Sequence, residues 1–107
     1  MQYTRTQIKR IRENLKLCQF NTKYGIFSVD RNESLSHNLA LARQFVILSY
    51  EGFCVAVRPT LKNKQKPDLL ILDTVHPIAK EVMVNETDKQ FAKKNYIGIK
   101  KIKVKIR

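Results

Sequence analysis

In the stretch from Lys66 to Asp88, KPDLLILDTVHPIAKEVMVNETD, two carboxylates stand where they could act together. Asp68 follows Pro67 and opens the apolar run Leu69 to Leu72, and Glu86 closes a second apolar run, Val82 to Val84. Two buried strands joined by a hairpin would carry both carboxylates to one edge of a sheet. Held close, they repel each other unless something positive sits between them, and a divalent cation with oxygen ligands is the usual solution. An Asp at the start of a central strand has little use in packing, because a buried carboxylate must be paired or bound to a cation. The plainer reading is an exposed Asp in the turn after Lys66. Glu33 and His37 lie four residues apart at the start of a predicted helix and so share a face. They either contribute to such a site or serve the helix, with Glu33 complementing its dipole and His37 on the first-turn surface. His76, in a His-Pro turn, has no nearby partner and reads as a turn residue.

The elements that position these groups follow from periodicity. Thr4 to Phe20 reads as a helix: Thr4 with Gln7 fits a capping box, and Ile8, Ile11, Leu15 and Cys18 recur at helical spacing opposite Arg5, Lys9, Arg10, Arg12 and Lys16. After a turn-rich segment, a second helix is predicted from about Glu33 to Ser36 up to about Tyr50, with Gly52 as its stop. Leu39, Ala42, Phe45, Val46 and Ser49 are expected on its buried face, widened by Leu41 and Leu48. Three strands follow, at Phe53 to Val57, Pro67 to Leu72 and Lys80 to Glu86, the middle one buried on both faces. Thr87 with Gln90 caps a further helix ended by Gly98, and Ile99 to Arg107 alternates apolar and basic residues as an antiparallel or edge strand.

Length and charge limit what these elements can serve. The chain has 107 residues, enough for one domain, and 43% apolar residues, ordinary for a globular core. Its 21 Lys and Arg against 9 Asp and Glu give a net charge of +12. That self-repulsion would be relieved by a polyanion, nucleic acid before an anionic membrane, since no basic helix has an apolar face broad enough to lie on lipid. Lys62, Lys64 and Lys66 in one polar loop, and Lys101, Lys103, Lys105 and Arg107 along the last strand, are the expected phosphate contacts. Both groups would also protect sheet edges from aggregation. Cys18 and Cys54 form no CxxC pair and read as small buried thiols, with a disulfide between them left open. Without a signal-like start or a long apolar span, an intracellular, cytoplasmic protein is expected.

The order helix, helix, strand, strand, strand, helix, strand, with Pro-Asp opening the second strand and an acidic end to the third, resembles the PD-(D/E)xK nuclease superfamily. Restriction endonucleases and archaeal Holliday junction resolvases are among its members. The resemblance covers residues 33–107. It implies an α/β fold with a restriction endonuclease-like αβββαβ core, a central mixed sheet flanked by helices, to which residues 1–32 add an N-terminal helix and loop. It also implies a metal-dependent DNA endonuclease, structure-selective or resolvase-like, using Mg2+ or Mn2+ on double-stranded or branched DNA as a homodimer. Asp68 and Glu86 would then be the metal-binding carboxylates, Asp88 a further ligand, Lys89 the assisting lysine, and Glu33 or His37 the polar residue some members supply from the first core helix. The chain departs from the pattern at the lysine: a strict E-x-K needs Lys at position 88, where Asp88 stands, with Lys89 one residue later. In an extended strand Lys89 would face away from Glu86 unless a bulge or the helix start turned it back. A frame counted from the apolar run puts Asn85 and Thr87 at the two positions and would be inactive. The alternative function is a non-catalytic nucleic-acid-binding protein on the same scaffold.

Overall fold

The computed structural model describes residues 2–83, 88–93, 96 and 99–105, and for residues 88–90 and 105 the backbone alone. The elements follow in the order α1 (Arg5–Leu15), α2 (Leu35–Tyr50), β1 (Val55–Val57), β2 (Leu69–Ile71), β3 (Ile78–Met83), α3 (Asp88–Lys93) and β4 (Lys100–Lys105). This is the order expected from the sequence. The strands form one mixed sheet, β1-β2-β3-β4, antiparallel from β1 to β3 and parallel between β3 and β4.

The apolar run of β2 explains the layering. Leu69 and Ile71 pack with Val55, Val82 and the α2 residues Ala40, Leu41 and Leu48. Leu70 and Leu72 point the other way, into a cluster with Ala56, Ala79, Tyr96 and Ile11 of α1. The two helices therefore cover opposite faces of the sheet, and a strand between two apolar layers needs no polar alternation.

α1 starts where expected and stops early. Thr4 and Gln7 form the full capping box, and Gln7 Nε2 also donates to Gly52 O at 2.9 Å and Asp73 Oδ2 at 2.7 Å. Asn14 Nδ2 reaches the carbonyls of Leu72 and Thr74 at 2.7 and 2.8 Å, so two amide side chains fasten α1 to the end of β2. The helix ends at Leu15 because the following residues pair across to the 60s: Cys18 bridges Leu61, and Gln19 N donates to Thr60 O at 2.9 Å.

α2 is capped by Ser34, whose hydroxyl accepts from His37 N at 3.1 Å. At its other end Phe53 N donates to Leu48 O and Gly52 N to Ser49 O, a Schellman closure that places Gly52 at φ +93°. The rotation of α2 differs from expectation: Asn38, Ala40, Leu41 and Leu48 are buried, whereas Leu39 and Val46 face outward. Apolar residues surround this helix, so periodicity could not choose a face. Asn38 chooses it, donating to the carbonyls of Asp30, Glu33 and Ser34 and accepting from Asp30 N and Arg58 Nη2.

Cys54 and Cys18 are buried free thiols. Burial, with the Asp73 charge adding to it, pushes the Cys54 thiol up to about 11. A folded-state value above the unfolded one means that the neutral thiol stabilises the fold below the ordinary thiol range. That contribution is lost as pH rises through the folded value. Thermal melts of the wild type should therefore lose stability between about pH 9 and pH 11, and Cys54→Ala should flatten that part of the profile. An unchanged profile would count against the burial of Cys54.

Candidate metal centre

Three side chains converge where α2 begins and β2 opens. Glu33 precedes the helix cap, and its own amide donates to Asp30 O at 3.1 Å, which holds the entry to α2 in a tight turn. His37 lies one helical turn on. Asp68 stands just before the first β2–β3 pair, Leu69 with Lys80. Its carbonyl accepts from Arg58 N at 2.8 Å and its Oδ2 from the buried Val82 N at 2.9 Å. The side chain thus completes the β3 ladder while its other oxygen turns toward α2.

His37 Nε2 lies 3.4 Å from Asp68 Oδ1 and 3.6 Å from Glu33 Oε1. This nitrogen is buried and has no hydrogen-bond partner among the described residues, an expensive state for a polar atom unless something else occupies its lone pair or proton. One donor atom from each of the three residues falls within 4.8 Å of the other two. Donors on one divalent ion, each about 2.1 Å from it, stand about 3 to 3.5 Å apart. The separations at His37 fit that arrangement better than they fit hydrogen bonds. Three protein donors also leave coordination positions for water or substrate, as at catalytic rather than structural ions.

Arg58 supports the group from behind. Its Nη2 donates to Glu33 Oε1 at 2.7 Å and its Nε to the same oxygen at 3.0 Å. Nη1 reaches Ser28 O at 2.6 Å, Nη2 also reaches Asn38 Oδ1 at 2.9 Å, and the guanidinium stands 5.9 Å from the centroid of the Phe27 ring. Its backbone takes φ +46°, a conformation that side-chain-bearing residues rarely adopt. Arg58 also borders an open cleft of about 440 Å³ bounded by Phe20, Lys23 and Ser28.

No known family, curated protein or solved structure matches this chain.

Of the residues expected from the sequence, Glu33, His37 and Asp68 come together. Glu86 and the side chains of Asp88 and Lys89 lie outside the described residues. The third strand, expected from Lys80, begins earlier, at Ile78, because its pairing with β2 sets Ile78 opposite Ile71; the expected end, residues 84–86, lies outside the described residues. That strand carries a carboxylate which periodicity did not single out, Glu81. It is fully buried and accepts from the hydroxyl of Tyr96, a residue of the α1-side core.

Lys62, Lys64 and Lys66 are exposed, as expected for the polar loop. On β4 the lysines are more engaged than expected: Lys101 Nζ donates to Phe91 O at 2.7 Å and lies 4.4 Å from the Phe91 ring centroid, and Lys103 Nζ lies at 5.7 Å. The side chain of Lys105 and all of Arg107 lie outside the described residues. Among the described residues no helix is long and apolar enough to cross a membrane. Arg58 is a site residue that the sequence reading missed. A lone Arg ending a strand carries no periodic signal.

Proposed function

We propose that this chain is a metal-dependent DNA endonuclease whose ion is held by Glu33, His37 and Asp68, on a core of the restriction endonuclease-like type. The observation that carries the reading is the buried, unpartnered Nε2 of His37 between two carboxylate oxygens. The order of elements and the place of Asp68, next to Pro67 at the head of the central β2, support the nuclease-like core.

A divalent ion bound there would polarise a phosphoryl oxygen and lower the pKa of a bound water. The protein's own groups hold and orient: Asp68 is fixed by the Val82 amide, Glu33 by the Arg58 guanidinium, and His37 by the first turn of α2. The imidazole among carboxylates favours Mn2+ over Mg2+, because nitrogen ligands suit transition ions better than magnesium. Glu86, Asp88 and Lys89 remain part of this proposal as the further ligands and the assisting lysine. The exposed lysines of the 62–66 loop would hold the phosphate backbone without reading bases.

The test is cleavage of labelled linear and four-way-junction DNA with Mg2+ or Mn2+, by wild type and by Asp68→Asn. Metal-dependent cutting that Asp68→Asn abolishes is the expected result. One observation favours a second reading, a nucleic-acid-binding protein without catalysis: Arg58 already satisfies Glu33 without an ion. DNA binding by both proteins with cutting by neither would establish that reading. Melting separates the two independently of any substrate. At about a hundredfold excess over Kd an ion bound only by the folded state adds ~2.7 kcal/mol, which raises Tm by ~10 °C or more in a domain of this size.

A further inference from the structure

The end of α1 at Leu15 leaves Phe20 in a turn, 94% exposed. The backbone on either side of it is held. Lys62 N donates to Leu17 O at 3.0 Å and Gln19 N to Thr60 O at 2.9 Å, while Asn21 takes φ +70° and the Thr22 hydroxyl donates to Gln19 O at 2.6 Å. One exposed apolar side chain is ordinary on a protein surface, but the surroundings of this one are not. Phe20 is in the wall of two clefts. One, of about 440 Å³, it shares with Lys23 and with Ile26, itself 61% exposed; the other, of about 420 Å³, it shares with Lys16 and Lys62. Among the described residues no carboxylate lines either cleft. Lys16 pairs with Glu13 at 3.4 Å, whereas Lys23 and Lys62 form no ion pair among the described residues.

We propose that Phe20 is a stacking platform for an unpaired nucleobase of a single strand, with the base in the cleft shared with Ile26 and the adjoining phosphates on Lys23 and Lys62. An aromatic ring fixed in water offers a base the apolar face that stacking needs, and it does so whatever the base. Cations beside the ring meet the phosphates that flank the base, and the absence of carboxylates from both clefts spares that strand any repulsion. Pockets for small ligands run from about 300 to 1,000 Å³, so each cleft has room for a base. In a duplex both faces of a base are covered by its neighbours. The platform therefore selects unpaired stretches, at ends, gaps or branches. Arg58, which holds Glu33, borders the same cleft and so places the platform beside the metal centre. The inference rests on the nucleic-acid part of the proposed function, catalytic or not, and does not depend on the ion.

The test is binding by the full chain in EDTA, so that nothing is cut. Three labelled probes are compared by fluorescence anisotropy: oligothymidylate of about a dozen nucleotides, an abasic strand with the same phosphates, and a blunt duplex. The wild type should prefer oligothymidylate to the abasic strand. Phe20→Ala should bind oligothymidylate about tenfold more weakly and the other two probes unchanged, with the melting temperature of the wild type because the lost side chain is exposed. Lys62→Gln should instead weaken all three and lower the salt dependence. The chain has no Trp, so Phe20→Trp puts a single indole at the platform, and oligothymidylate should quench its fluorescence where the abasic strand does not. Equal binding of all probes by wild type and Phe20→Ala overturns the platform and leaves the nucleic-acid reading standing. A wild type that holds none of the three overturns both. If its mass then rises with concentration and Phe20→Ala prevents the rise, the clefts seat a second copy of the chain instead.

Discussion

Arg58→Ala should be the most destabilising single substitution in the region around the metal centre, by about 3 kcal/mol in chemical denaturation. Removing one partner of a desolvated ion pair leaves the other charge without compensation, typically at a cost of ~3–5 kcal/mol. The lower end applies because Glu33 keeps 27% of its side chain exposed, against 13% for Arg58. The same truncation strips donors from Ser28 O and Asn38 Oδ1, and Asn38 is the residue that fixes the rotation of α2. Arg58→Lys should recover little of the loss, because an ammonium cannot reproduce the planar fork. Arg58→Gly should be more stable than Arg58→Ala by ~1 kcal/mol, since φ +46° is free to glycine and strained for alanine. If Arg58→Ala unfolds within 0.5 kcal/mol of the wild type, the guanidinium is not holding this corner together.

The second large effect divides Asp68→Ala from Asp68→Asn. Asp68 accepts the buried Val82 amide through Oδ2 and presents Oδ1 toward His37. Alanine removes both, and the stranded amide should cost ~2 kcal/mol of stability. Asparagine keeps an acceptor for Val82 and loses the charge, so it should melt close to the wild type while losing the whole Mn2+-induced rise in Tm. His37→Ala should lower Mn2+ affinity and spare more of the response to Mg2+, because it removes the nitrogen donor and leaves the oxygens. A full Mn2+ response in Asp68→Asn would remove Asp68 from the centre and sink the metal reading with it.

The fold was legible where local chemistry is unambiguous. The Thr4 and Gln7 capping box, Gly52 as the stop of α2, and the doubly buried run of β2 were all readable, because a cap, a positive φ and an unbroken apolar strand each have one common cause. The outlying boundaries were not, because tertiary pairing sets them. The bridge from Cys18 to Leu61 cuts α1 short, and the register with β2 starts β3 at Ile78, ahead of the expected Lys80. At the site, Asp68, Glu33 and His37 were each visible as candidates. Their meeting was not, since it depends on Asn38 turning α2 and on Arg58 reaching back from the end of β1. Arg58 acts through contacts twenty or more residues distant and Asn38 chiefly through the turn that enters α2, and neither leaves a periodic trace.

The bond from the Val82 amide to Asp68 Oδ2 ties the chemistry of the site to the central sheet. Because that proton belongs to a buried strand, its chemical shift and exchange rate are sensitive to the charge on the carboxylate it faces. Val82 is thus an internal reporter: ion binding at Asp68 should register at this amide in solution NMR before any substrate is known, and silence there would place the ion elsewhere.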